Sequence, residues 1–457
     1  MFDQTFSPEN LKYIFDIENR KGKDLFKELD DPELNLLLTE KRDLRDKMKS
    51  IKRSFYDKII KLDEFKKRLG EIRRKLNAKD KSIDERLLKI LTLKDSVIDL
   101  VKYPNTIFDV RTDQNGKRIY FIKKDNTLLR LVLKKIQYDL KKLFIITFGN
   151  RNDIISQIKT ILKFNLPKCV YRYDVSSFYE SINQEILFDK IIKNRRITNS
   201  TKQFILELFN SFKSKYGLSV GIPRGIGLSA FLSEIYMQDF DKNIKKNDGI
   251  LYYARYVDDI IIIARNEKSI NIDSIINKEL NKLKLNLSST KGKNSICKHV
   301  KGSSYMFTFL GYKFLWNGTN LDIEMSKNRF ERYKEKIRRL ICQYRKDLIQ
   351  NGKRSEKIAR NKLFKCLKFL TSNTRLVNSK KDAMVGIYYS NSHLTKPQET
   401  LGALDSYTLC MLKENNLLNN NNTELRFKNI SFTSGFINRR FIKFDKKHFG
   451  IIYNLRK

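Results

Sequence analysis

Two runs of strand-forming residues meet at a pair of acids. Leu251-Tyr252-Tyr253-Ala254-Arg255-Tyr256-Val257 leads into Asp258-Asp259, and Ile260 to Ala264 follows. β-Branched and aromatic side chains suit a pleated sheet surface, so the pattern predicts a hairpin with Asp258-Asp259 at its turn. Upstream, Val170 to Asp174 predicts a short strand that ends in an acid and then turns into Phe178-Tyr179. Between them, Gly221-Ile222-Pro223-Arg224-Gly225-Ile226-Gly227 predicts a loop, and an apolar helix follows it through Met237. Its glycines let backbone lie close to a flat ligand such as a base pair. Downstream come Leu285-Asn286-Leu287, Lys291 and Lys293, then Phe309-Leu310-Gly311-Tyr312, which predicts a tight hairpin.

The two ends of the chain have another rhythm. Ser7-Pro8-Glu9 is a helix start, with serine as cap and proline at the first helical position. From Leu36 to Leu100, Leu and Ile recur at three- and four-residue spacings among charged residues, which predicts long amphipathic helices, including a helical hairpin. Near Tyr103-Pro104-Asn105 the pattern becomes mixed α/β, and it stays so until about Trp316. From Glu324 it is helical and basic again (Arg329, Arg332, Arg338, Arg339, Arg345), with an Asn-rich loop at Asn415–Asn422. The expected fold class is α+β, divided into 1–105, 106–322 and 323–457.

Charge narrows the function. Lys and Arg number 93 against 52 Asp and Glu in 457 residues, a formal net charge of +41. Self-repulsion of that size is relieved by a polyanion, so nucleic acid is the expected partner. A membrane surface is the rival, but the charge is spread along the chain and not gathered on one amphipathic helix. No apolar run reaches 18 residues, and the opening lacks a leader's basic and apolar regions, so a cytoplasmic protein without a membrane span is expected. The five cysteines and three histidines are scattered, and Cys297 with His299 is the nearest approach to a metal pair.

The acids carry the chemistry. Two adjacent carboxylates at an apolar hairpin tip repel each other, and a divalent cation neutralises both. A third, from the strand ending at Asp174, completes what two-metal phosphoryl transfer requires.

The order of these pieces resembles the reverse transcriptase family over roughly residues 105–320. Asp174 matches motif A, Pro223-Arg224-Gly225 motif B, and Tyr256-Val257-Asp258-Asp259 motif C; the surroundings of Lys291 match motif D, and Phe309–Tyr312 motif E. The resemblance implies a right-hand polymerase of palm, fingers and helical thumb with an N-terminal helical extension. It implies two Mg²⁺ ions held by Asp174, Val175, Asp258 and Asp259. Ile122 to Arg130 looks like the family's fingers hairpin, so Lys123 would meet the γ-phosphate and Arg130 the α-phosphate of a dNTP. Tyr179 stands where a bulky ring excludes a ribose 2′-hydroxyl, which favours DNA synthesis. Arg224 replaces the usual motif B glutamine, which puts template handling and nucleotide choice in doubt. Ser289 stands where motif D usually has lysine, leaving Lys291 as the general acid to pyrophosphate.

Phe178-Tyr179-Glu180-Ser181-Ile182 and Pro223 to Ser229 look like the bacterial defence-associated and abortive-infection group. Phe6-Ser7-Pro8-Glu9-Asn10 and Glu18-Asn19-Arg20-Lys21-Gly22 are most similar to the first enzyme of its two-polymerase type-three system. That resemblance implies an antiphage role, a structured non-coding RNA as template, a DNA product, and a second reverse transcriptase in a homo- or hetero-oligomer. Two alternatives stay open. Arg224 and the 21 tyrosines suit template-independent or protein-primed synthesis, and the charge with the helical ends suits an RNA-binding, maturase-like role.

Overall fold

The computed structural model describes the chain except residues 1–2, 22–23, 93–107, 114–115, 124–125, 165, 218, 267–270, 291, 300–301, 376–383, 419–425, 428 and 444–457, and the side chains of 215, 299 and 350–355. The fold is mixed helix and strand, and contacts divide it into two units, each built from several stretches of chain.

The first unit comprises Met1–Phe148, Ser177–Phe240 and Leu280–Leu285. Its opening helix, Pro8–Asn19, begins as the sequence predicts, with the Ser7 hydroxyl accepting from the Asn10 N–H. Helices Pro32–Tyr56 and Leu62–Leu91 form the expected helical hairpin, closed at its tip by stacked Phe55 and Phe65 with ring centroids 4.3 Å apart. Residues 93–100 of the predicted helical stretch lie outside the described residues. Strands β1 (Phe108–Thr112) and β2 (Arg118–Ile122) pair antiparallel and lead into helix Thr127–Leu143.

On that helix Lys135 and Asp139 are almost wholly buried and pair at 2.7 Å, and the Lys135 ammonium also donates to the Asp3 carbonyl at 2.9 Å. Burial pushes the Asp139 carboxyl up, against the pull of Lys135. The amino-terminal segment is therefore tied to helix Thr127–Leu143 by a charge that needs its partner.

The second unit comprises Gly149–Ser176, Asp241–Glu279 and Asn286–Lys457. Its main sheet holds β3 (Lys168–Asp174), β4 (Ile250–Tyr256), β5 (Asp259–Arg265) and β6 (Ser295–His299) in the order β4-β5-β3-β6, all antiparallel neighbours. Ile260 to Ala264 are fully buried, so β5 is the hydrophobic centre of the unit. A second sheet, β7 (Tyr305–Phe309), β8 (Tyr312–Trp316) and β9 (Leu321–Met325), is joined by the predicted tight turn. Leu310 and Gly311 both have positive φ (45° and 78°), the pattern of a two-residue hairpin turn. Helix Lys327–Leu370 begins a few residues after the predicted Glu324, because Glu324 still pairs with Lys313 across β8 and β9. Among the described residues no helix is long and apolar enough to cross a membrane.

Replacing Asp139 with Ala leaves the Lys135 ammonium buried without its counter-ion. A loss of about 3–5 kcal/mol is expected, measured by urea unfolding, with a smaller loss for the Lys135→Met/Asp139→Leu double variant.

Candidate active site

In the second unit, backbone pairing assembles the acids. Asp174, the last residue of β3, lies directly opposite Asp259, the first residue of β5. Tyr256 pairs with Asp259 across β4 and β5, so the turn residues are Val257 and Asp258. This corrects the expectation of an Asp258-Asp259 turn: the second acid is in the ladder and only the first is at the tip. The Val175 N–H donates to the Asp258 carbonyl at 3.2 Å, which stitches the β3 exit to the turn. The Ser288 N–H donates to the Asp174 carbonyl at 2.7 Å, and the Asn294 side-chain carbonyl accepts from the Asp174 N–H at 3.0 Å.

Like charges directly opposed across a ladder destabilise it. Burial, then Asp258 and Asp174, push the Asp259 carboxyl up to about 6, while Arg172 and Lys293 pull the other way. Lys293 holds Asp174 at 2.8 Å, and the Arg172 guanidinium stands 3.8 Å from Asp259. As placed, no three His, Cys, Asp or Glu side chains among the described residues are gathered so as to hold a metal ion. The donor set itself suits a hard divalent cation, being carboxylate oxygens in mutual repulsion. A cation there would take over what Lys293 and Arg172 do now. Lys293 is the residue that sequence reasoning placed near the site without a role. The expected general acid, Lys291, lies outside the described residues.

The first unit holds the other predicted residues. Tyr179 lies in the short helix Phe178–Ser181, and its carbonyl accepts from the Ile222 N–H at 2.8 Å. The Arg224 guanidinium sits 5.9 Å from the Tyr179 ring centroid, 3.4 Å from Asp113 and 3.8 Å from Glu180. Tyr179 and Arg224 are thus brought together, with the arginine's charge engaged by two acids. The Arg224 carbonyl accepts from the Tyr120 N–H at 2.8 Å, docking the glycine loop on β2. Gly225 makes this possible: its φ is 96°, and a Cβ there would meet the Tyr120 carbonyl at 2.5 Å.

Lys123 and Arg130 depart from the hairpin expectation. Lys123 directly follows β2, whereas Arg130 lies in the first turn of helix Thr127–Leu143, because Thr127 onward carries helical periodicity. Residues 124 and 125 lie outside the described residues. Arg130 pairs with Glu28 at 2.7 Å and donates to the Thr127 hydroxyl at 2.9 Å. Thr127, Arg130, Lys134, Gln137 and Gly227, with Glu18 and Leu25, line a pocket of about 120 Å³.

Comparison with known proteins gives one family match. Residues 114–314, which include all three acids, match the family model described as reverse transcriptase (RNA-dependent DNA polymerase). Residues 114–314 are thus similar to a polymerase domain of the reverse transcriptase type, and the match covers less than half of the chain. Among solved structures it is similar to apo telomerase from Candida tropicalis, at 16% identity and a TM-score of 0.39, over 74% of this chain and 63% of that one. Telomerase from Candida albicans with the TWJ fragment of telomeric RNA gives 13% identity and a TM-score of 0.35, over 77% and 64%. The BmCPV RNA-dependent RNA polymerase gives 12% identity and a TM-score of 0.27, over 59% and 26%. The chain spans less than two thirds of the length of each of these. No curated protein matches it in sequence.

The raised Asp259 carboxyl makes stability depend on pH. Its folded pKa, about 6, lies above the ordinary carboxylate value, so the folded state loses stability as pH rises from about 4 to 7. Asp259→Asn removes that loss. In metal-free buffer at pH 8 the variant is expected to be more stable by about 1–3 kcal/mol, and to forgo the stabilisation Mg²⁺ gives the wild type. Thermal unfolding with and without Mg²⁺ checks both.

Proposed function

We propose that this chain is an RNA-templated DNA polymerase that works by two-metal nucleotidyl transfer. The observation that carries the reading is the pairing of Asp174 with Asp259 across β3 and β5, with Asp258 at the adjoining turn, inside the region that matches the reverse transcriptase family. In hand terms, 1–105 is an N-terminal extension, 106–322 fingers and palm, and 323–457 a basic thumb with a C-terminal extension.

Asp174, Asp258 and Asp259, with Val175 beside them, would hold two Mg²⁺ ions, which when bound activate a 3′-hydroxyl and neutralise charge on the triphosphate. The chain's own residues do the rest. Lys123 and Arg130 orient the dNTP through its phosphates, Arg130 exchanging Glu28 for a phosphate of greater charge. Tyr179 closes the space a 2′-hydroxyl would need, and Arg224 buttresses its ring. Lys291 supplies a proton to the departing pyrophosphate. A structured non-coding RNA is the template, antiphage defence in a bacterial cytoplasm the setting, and a second reverse transcriptase a partner in the assembly. The net charge of +41 supports the nucleic-acid partner.

The deciding experiment sequences nucleic acid copurifying with the wild type and with Asp258→Ala. A discrete RNA in both, with complementary DNA in the wild type alone, is expected. DNA without a defined complement, or DNA bonded to the protein, would overturn templated synthesis. In steady-state assays Asp258→Ala and Asp259→Ala are each expected to cut incorporation by at least about a thousandfold, equivalent to about 4 kcal/mol of transition-state stabilisation. Tyr179→Val should raise the use of ribonucleotides relative to deoxyribonucleotides by about tenfold or more, read from paired kcat/KM values.

A further inference from the structure

Val257 has φ of +62°, a left-handed conformation that a β-branched residue rarely adopts. Positive φ at the first turn residue alone marks a type II′ turn, where glycine is usual. Something must hold Val257 there, since relaxation to negative φ would swing the next residue, Asp258, away from its place.

The neighbouring β4 strand supplies the hold. Arg255 Nη1 donates to the Val257 carbonyl at 2.9 Å. Arg255 Nε and Nη2 each donate to one Asp241 carboxylate oxygen, both at 2.8 Å. The Arg255 side chain is only 4% exposed. Tyr253, two residues back on the same face of β4, donates its hydroxyl to the same carboxylate. Gly149 backs the arrangement, because a Cβ there would meet the Arg255 carbonyl at 2.9 Å. A buried Arg–Asp pair contributes little to stability by itself. Here its planar fork fixes the direction of a third donor, which lysine would not do.

We propose that Arg255, clamped by Asp241 and Tyr253, is a positioning residue that locks the strained Val257 turn and thereby presents Asp258 to a divalent cation. The inference rests on the reading of Asp258 and Asp259 as metal-binding acids. It assigns a function to a buried ion pair that takes no part in the chemistry, and it makes the strain at Val257 the quantity that Arg255 opposes.

The test uses the full chain and Mn²⁺ as probe, titrated by electron paramagnetic resonance, with Asp258→Ala to identify the signal that depends on the acids. Arg255→Met is expected to weaken that Mn²⁺ binding by about tenfold or more. The Mg²⁺ concentration for half-maximal incorporation should rise in parallel, while KM for dNTP moves far less. Adding Val257→Gly, which accepts positive φ without a brace, should recover at least about threefold of the lost affinity. Should Arg255→Met not fold, Asp241→Asn is read the same way, alone and with Val257→Gly. Mn²⁺ binding equal to the wild type in the Arg255 or Asp241 variant would overturn the proposal. So would a loss that Val257→Gly leaves untouched, since that is the signature of general unfolding. Because Mn²⁺ binding is read directly, an inactive wild type would sink the polymerase reading without disturbing this comparison.

Discussion

The repulsion between Asp174 and Asp259 governs the second unit. Register places them opposite each other where β3 and β5 are hydrogen-bonded, so neither can withdraw without breaking the ladder. A sheet that forces two carboxylates together must be held from elsewhere, and the fully buried run Ile260 to Ala264 does that. The four isoleucines of that run each contribute on the order of 1.5–3 kcal/mol on burial, and together they exceed the cost, about 3 kcal/mol, of one raised carboxylate. Arg172 and Lys293 complete the compensation in charge. Apolar burial fixes the strands, and the strands fix the acids.

The first unit handles charge differently. Its cations near the expected nucleotide site are already engaged: Arg224 by Asp113 and Glu180, and Arg130 by Glu28. These pairs are partly exposed and therefore weak, so a multiply charged anion would displace them at little cost. Lys135 and Asp139 are the opposite case, buried and fixed, with the Asp3 carbonyl on the same ammonium. The amino-terminal segment is thereby anchored through a strong pair, while Glu28, further along it, stays exchangeable.

Much of this could be read from sequence because it was written in period and punctuation. Strand runs, the Ser7-Pro8 cap, the two charged helices and the Leu310-Gly311 turn depend on neighbours in the chain. The three acids were legible for the same reason, each ending or beginning an apolar run. The turn at Val257-Asp258 was not, since a β-branched residue at positive φ goes against local preference and is set by Arg255 and by the β4–β5 register. Arg130 resembles part of a fingers hairpin, yet the helical periodicity that starts at Thr127 prevails over that resemblance. Lys293 stood near the acids in sequence without a role and Asp241 was silent, because their partners are 119 and 14 residues away and nothing local marks the pairing.

Local rules fail at Val257 and Asp259, and both failures point the same way. A sequence optimised for stability alone would place glycine at the turn and an uncharged residue at the start of β5. This chain keeps valine and aspartate there, and surrounds them with a buried arginine fork, a lysine and an isoleucine strand. The arrangement makes sense if the turn must hold one geometry while carrying excess negative charge, since a braced valine holds positive φ more narrowly than glycine, which adopts it among other conformations, and a neutral residue would not carry the charge. Rigidity and charge are then two parts of one requirement: to present oxygen ligands to a cation without having to rearrange when it arrives.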